Sequence, residues 1–132
     1  MVYGSTIRSY KDLDVWQVAM DLAAACYRAT EVLPREEIYG MTAQIRRASV
    51  SVAANIAEGY GRETSASFVQ FLRIAQGSLK ELETHLLLVE RIQLLKPELL
   101  APLLNQCERI SKMLRNLIRS LNDPSRTTVR EP

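Results

Sequence analysis

The chain has 132 residues, a length suited to one domain that buries about two-thirds of the surface its unfolded chain exposes. Apolar residues make up 47% and charged residues 24%, as in ordinary globular proteins, and five glycines and five prolines are too few for a turn-rich all-β fold. The net charge of +2 is too small to identify a nucleic-acid-binding protein from charge alone.

The two cysteines, Cys26 and Cys107, lie among apolar residues at helical spacing. We expect buried free thiols, because a disulfide framework needs more cysteines and an extracellular setting. Residues 1–14 contain no apolar run of signal-peptide length, and no uncharged apolar stretch is long enough to span a membrane. The expected location is therefore the cytoplasm.

Residues 1–12 are polar and are expected to form a flexible N-terminal segment. A first helix is predicted from Leu13 to Val32, because two apolar seams with heptad-like spacing run side by side along it. Pro34 ends this helix, since proline disfavours helical geometry in the residue before it.

The second helix is predicted from Ile38 to Gly59, with Gly59 as its C-terminal cap. At about 100° per residue, its core stripe comprises Met41, Ile45, Ala48, Val52 and Ile56. The far side is also apolar, where a surface helix of a small monomer should be polar; it comprises Ala43, Val50, Ala53, Ala54 and Ala57. The helix is therefore predicted to bury two faces, which indicates assembly.

A row of polar side chains lies between these two apolar faces, comprising Gln44, Arg47, Ser51, Asn55 and Glu58. Buried polar groups must be paired, and the third helix offers Ser78 and Glu81, the latter as a partner for Arg47 or Arg46. We interpret the row as a hydrogen-bond network that fixes the register between helices or subunits. A small anion or nucleotide site and an ordinary solvated stripe are the alternatives.

The third helix is predicted from Ser65 or Ser67 to about Leu95. Its apolar seam alternates steps of four and three residues over three heptads, which is the strongest periodic signal in the chain. Gly77 on this helix has no side chain and would let another backbone approach closely.

The fourth helix is predicted from Pro97 to Leu121, with proline tolerated in the first turn, and residues 123–132 are expected to form a flexible tail. Residues 13–122 are thus predicted to form one all-α domain. Four helices of this length with short connections indicate an antiparallel up-down-up-down four-helix bundle.

The sequence predicts no catalytic, cofactor-binding or metal site. The one histidine, His85, could share a helix face with Glu81, but the ligand set of a di-iron bundle is incomplete. Neither a nucleophile–base pair nor a glycine-rich phosphate loop can be assembled from these residues. The chain is therefore predicted not to be an enzyme and to use no cofactor or metal.

The fourth helix carries basic residues away from its leucine seam, namely Arg109, Lys112, Arg115 and Arg119. One interpretation is a face that keeps the protein in solution. The other is a surface that contacts nucleic-acid phosphates. Aromatic side chains are not interleaved with these cations, so base stacking of the single-strand-binding kind is not expected from this patch.

Several short motifs resemble the family of 23S rRNA intervening-sequence proteins, which are four-helix bundles. They include QIRRA at residues 44–48, NIAEG at 55–59 and GSLKEL at 77–82. The matches cover most of residues 13–95, whereas the fourth helix matches mainly in pattern. The resemblance implies a left-handed bundle that assembles into a homopentameric ring.

Some members of this family are encoded within sequences inserted in bacterial 23S rRNA genes. A distantly similar accessory protein of diversity-generating retroelements is a basic pentamer that binds nucleic acid. The resemblance therefore implies a homo-oligomer associated with RNA or DNA, and it carries over no catalytic residues. The alternative is an oligomeric scaffold for a protein partner without a nucleic-acid role, and neither function involves a membrane.

Overall fold

The computed structural model describes residues 7–125, and four long helices account for most of them. Their bounds are α1 Asp14–Ala29, α2 Met41–Tyr60, α3 Ser65–Arg91 and α4 Pro97–Asn122. Short 3₁₀ turns lie at Tyr10–Asp12, Thr30–Val32 and Arg35–Glu37. Since residues 7–125 contain no strand, the predicted all-α class is confirmed. The predicted flexible ends fall partly on residues 1–6 and 126–132, which lie outside the described residues.

The loop between α1 and α2 is longer than predicted at both of its ends. α1 ends at Ala29, where the chain tightens into a 3₁₀ turn and the Thr30 hydroxyl donates a hydrogen bond of 2.7 Å to the Cys26 carbonyl. α2 begins at Met41 because the Glu37 carboxylate accepts a hydrogen bond of 3.0 Å from the Met41 amide. That carboxylate satisfies one of the amides that the first turn leaves without a helical partner.

α3 ends four residues before the predicted end, through a backbone motif that the apolar pattern does not reveal. Gln93 has a φ of 64°, in the left-handed region. The Leu94 amide donates to the Val89 carbonyl at 2.9 Å, and the Gln93 amide donates to the Glu90 carbonyl at 3.0 Å. This pair of hydrogen bonds is a Schellman motif, which satisfies the last carbonyls of the helix.

Residues 7–12, which the sequence assigns to a flexible segment, contain a capped turn in the structure. The Ser9 hydroxyl accepts a hydrogen bond from the Lys11 amide, and Asp12 accepts one from the Ser9 amide. Tyr10 packs edge-on against Trp16, with 5.1 Å between the ring centroids. The side chains of Ile7 and Tyr10 also contact the core, so this turn covers one side of the bundle.

The core lies between the four helices, which contact one another in the order α1–α2, α2–α3, α3–α4 and α4–α1. A closed set of pairwise contacts makes a four-helix bundle, as predicted. The predicted seams are buried in α3 at Phe68, Leu72, Ala75, Leu79, Leu82, Leu86 and Val89, and in α4 at Leu100, Leu103, Cys107, Ile110, Leu114 and Leu117. The up-down-up-down order and the left-handed twist stay predictions.

Cys26 on α1 and Cys107 on α4 are fully buried free thiols, as predicted. Burial raises the pKa of each thiol to about 12, and a hydrogen bond with Ser49 offsets part of this rise at Cys26. Both sulfurs are therefore protonated at neutral pH. They pack as small apolar groups, and they lack the thiolate character that reactive cysteines need.

Gly59 determines how closely α2 and α3 approach each other. The predicted C-terminal cap at Gly59 is wrong, because α2 continues to Tyr60 and Gly61 caps it. A Cβ on Gly59 would lie 2.7 Å from the Cβ of Phe71 and 3.0 Å from a ring carbon of Phe68. By contrast, a Cβ on Gly77 would meet no heavy atom within 4 Å. Within the described part of the subunit, no other helix therefore packs closely against Gly77.

We predict that Gly59→Ala lowers the free energy of unfolding by about 1–2 kcal/mol, because overpacking of two helix backbones outweighs alanine's better helix propensity. Gly77→Ala is the matched control on α3, and it should raise the free energy of unfolding by up to ~1 kcal/mol. Urea unfolding followed by circular dichroism measures both. Equal effects of the two substitutions would show that Gly59 has no packing role.

Candidate functional site

Part of the predicted polar network lies between α2 and α3. The hydroxyls of Ser51 and Ser78 are 2.8 Å apart. The Asn55 amide group donates to the Ser51 hydroxyl at 3.1 Å and to the Ser51 carbonyl at 2.9 Å. All three residues are half-buried. The structure thus joins Ser51, Asn55 and Ser78 across two helices, and their role in fixing the register stays a prediction.

Arg46 belongs to a different contact, on the flank of α2 that faces α1. Its Nε donates to the Thr30 hydroxyl at 2.9 Å, and its Nη2 donates to the Tyr27 carbonyl at 3.2 Å. The guanidinium also lies 4.6 Å from the centroid of the Tyr27 ring. A cation at this place satisfies carbonyls and opposes the negative dipole end at the C-terminus of α1. The sequence pattern did not indicate this cap, because its residues come from two helices.

The remaining members of the predicted network lie apart from the Ser51–Ser78 contact. Glu58 forms an ion pair of 2.8 Å with Arg62, one turn further along the chain. Glu81 lies 3.5 Å from Nε2 of His85, and within residues 7–125 no ion pair joins Glu81 to Arg46 or Arg47. Gln44 is half-buried and Arg47 is exposed. Within one subunit, the residues of the predicted row therefore form several separate contacts and not one continuous network.

The second apolar face of α2 is partly open to solvent in a single subunit. Val50 is 44% exposed and Ala54 is exposed, whereas Ala43 and Ala57 are half-buried and Ala53 belongs to the core. Nearby on α3, Ile74 is 51% exposed, one turn before the Ser78 that contacts α2. This face is defined below as the outer α2 face, comprising Ala43, Val50, Ala54 and Ala57.

The four predicted basic residues of α4 are all exposed, but they do not form one cluster. Lys112 and Arg115 line a groove of about 510 Å³ between α3 and α4, whereas Arg109 and Arg119 do not. Lys80 of α3 adds a third cation to the groove, and its Nζ donates to Glu83 at 3.1 Å. Sequence reasoning missed Lys80, because its position beside α4 depends on the register between two helices.

Metal sites, reactive thiols and membrane spans each place requirements on the described residues. Groups of three or more histidine, cysteine or acidic side chains that could hold a metal ion do not occur among residues 7–125. Both thiols are buried and protonated. None of the helices in the same range combines the length and apolar composition needed to cross a bilayer.

These observations define a four-helix bundle with an open apolar face and a basic groove. The family model of the 23S rRNA-intervening sequence protein matches residues 11–116. The chain therefore belongs to the 23S rRNA-intervening sequence protein family, and the resemblance inferred from the motifs is confirmed.

A solved structure supports the same family. The chain is similar to a protein of unknown function from the S23 ribosomal protein family of Bacteroides thetaiotaomicron, with 26% sequence identity and a TM-score of 0.72. The similarity covers 80% of this chain and 98% of that protein. No curated protein matches the chain.

We predict that the Ser51–Ser78 hydrogen bond contributes to stability cooperatively. In a double-mutant cycle of Ser51→Ala and Ser78→Ala, the coupling energy should be about 0.5–1.5 kcal/mol, because each substitution removes the same contact. The control pairs Ser51→Ala with Thr84→Ala, whose hydroxyl donates to the Lys80 carbonyl on its own helix, and should be additive. A coupling as small as the control's would mean that the hydroxyl pair does not fix the register.

Proposed function

We propose that this protein is a non-enzymatic homo-oligomeric bundle that associates with RNA or DNA. The observation that carries the proposal is the outer α2 face, which is apolar along the helix and on which Val50 and Ala54 are exposed in the single subunit. Exposed apolar surface on one helix face marks a candidate interaction site. A second copy of the chain is the simplest partner, and five subunits is the number implied by the family resemblance.

The shape of the outer α2 face favours contact with another helix. Small side chains at Ala43, Ala54 and Ala57 permit a close approach, and Val50 provides a larger apolar group to pack. Helices that pack through such ridges and grooves come within about 8–10 Å of each other. Gly77 on α3 is likewise open and would add no steric barrier.

The charges of α4 support the nucleic-acid part of the proposal. Among residues 7–125, none of the four cations of this helix forms an ion pair with a carboxylate. Repetition around a ring would multiply a modest charge by the number of subunits, and several weak contacts then act together. The description of the similar structure as a member of the S23 ribosomal protein family agrees with an RNA-associated function.

A scaffold for a protein partner is the second candidate function. It is favoured by the loop between α1 and α2, where Tyr39 is 93% exposed and both Val32 and Ile38 are also largely exposed. Aromatic side chains are enriched in the centres of protein interfaces.

We predict that Val50→Glu dissociates the oligomer without unfolding the subunit, because it places a charge in an apolar contact. Sedimentation velocity should show a decrease to subunit mass, and circular dichroism should show unchanged helix content. Asn116→Glu is the control, since it adds the same charge to an exposed position of α4 and should leave the assembly intact. An oligomer that survives Val50→Glu would show that the outer α2 face is not the interface.

We predict that the wild-type protein binds single-stranded RNA with an affinity that falls steeply with salt. The slope of log K against log salt should be about −0.7 for each phosphate that the protein contacts. Fluorescence anisotropy of a labelled oligonucleotide between about 50 and 200 mM salt measures this slope. Absence of binding at the lowest salt would favour the protein-scaffold function.

A further inference from the structure

The groove between α3 and α4 is a recess in which polar side chains from both helices converge. Its volume of about 510 Å³ lies within the range of about 300–1,000 Å³ that is common for small-ligand sites. It is partly open to solvent. The groove therefore has room for one nucleotide, and the rest of a nucleic-acid strand can extend from either end of it.

The cations of the groove are arranged for a ligand with a single negative charge. Lys80 is paired with Glu83, so these two groups largely neutralise each other. Lys112 and Arg115, three residues apart on α4, are not paired with a carboxylate in residues 7–125. Glu108 also lines the groove, and the formal charge of the lining is +1. One phosphodiester group carries a single negative charge, which this lining matches.

Lys112 and Arg115 supply the two kinds of donor that phosphate groups favour. The guanidinium of Arg115 can bind two phosphate oxygens at once, and the ammonium of Lys112 acts as a point charge beside it. Both residues are exposed, so their side chains stay hydrated before the ligand arrives. The remaining carboxylate, Glu108, would repel ligands that carry several charges.

The other lining residues suit the sugar and base of a nucleotide. Leu87 and Leu104 provide an apolar wall, with Leu87 50% exposed and Leu104 half-buried. Asn105 and Ser111 provide neutral donors and acceptors. A base in a duplex is stacked and paired, whereas a base in a single strand can turn into a groove. These features together favour an unpaired nucleotide.

We propose that the α3–α4 groove binds one nucleotide unit of a single-stranded nucleic acid, with its phosphodiester held by Lys112 and Arg115. This inference rests on the proposed nucleic-acid association and assigns it to a defined place. Arg109 and Arg119 lie outside the groove and contribute only general electrostatic attraction. Because the wall is aliphatic, each groove binds weakly, and affinity for a strand comes from several subunits acting together.

Two variants with equal charge changes on the same helix test the proposal. Lys112→Glu/Arg115→Glu alters the groove, whereas Arg109→Glu/Arg119→Glu alters α4 outside it. By anisotropy with a labelled single-stranded RNA, the groove variant should lose at least about tenfold more affinity than the control variant, because it loses charge-assisted hydrogen bonds as well as charge. Equal losses would overturn the groove assignment and leave the proposed function standing. Absence of binding by the wild-type protein would contradict both.

A second pair of variants tests the groove without introducing acidic side chains. Lys112→Gln/Arg115→Gln and Arg109→Gln/Arg119→Gln remove the cations without reversing their charge, and the same difference in affinity is expected. Circular dichroism and sedimentation confirm that each variant remains folded and assembled. If the two glutamine variants bind the RNA with equal affinity, the groove assignment is wrong.

Competition distinguishes a nucleotide from a bare phosphate. The dinucleotide UpU, whose one phosphodiester carries a single negative charge, should displace the labelled RNA at a lower concentration than dimethyl phosphate does, because only the dinucleotide contacts Leu87, Leu104 and Asn105. The difference should disappear in the Lys112→Gln/Arg115→Gln variant. Equal displacement of RNA from the wild-type protein by the two competitors would overturn the nucleotide assignment.

Discussion

The close approach of α2 and α3 is the contact on which the rest of the structure depends. The absence of a side chain at Gly59 lets Phe68 and Phe71 pack directly against the backbone of α2. The Ser51–Ser78 hydrogen bond joins the same two helices further along. This contact is the most extensive one between helices in the described part of the chain. It holds the core stripe of α2 inward, and it therefore leaves the outer α2 face directed to solvent.

The helices and their core faces could be predicted from sequence because apolar periodicity reports burial directly. The seams of α3 and α4 and the stripe at Ile45, Ala48, Val52 and Ile56 are buried as predicted. Helix ends were less predictable, since they depend on individual hydrogen bonds. The Glu37 carboxylate starts α2, and a left-handed Gln93 ends α3. Gly59 illustrates the same limit, because a glycine near a helix end can serve as a cap or as a packing contact.

The candidate site was most predictable where its residues lie on one helix. The row on α2 and the basic residues of α4 followed from helical spacing. Partners on other helices followed only in part, because they depend on register. Ser78 meets Ser51, but Arg46 caps α1 instead of meeting Glu81, and Lys80 joins Lys112 and Arg115 across a groove. Two surfaces result from this arrangement. The outer α2 face favours assembly, and the α3–α4 groove favours a singly charged ligand, so assembly would place several grooves on one particle.

The central claim is that the outer α2 face is covered by another copy of the chain in solution. Native mass spectrometry of the wild-type protein at micromolar concentration tests this claim most directly, because it counts subunits. The account predicts a dominant species of five times the 14.9 kDa subunit mass. A dominant species at the mass of one subunit would contradict the account.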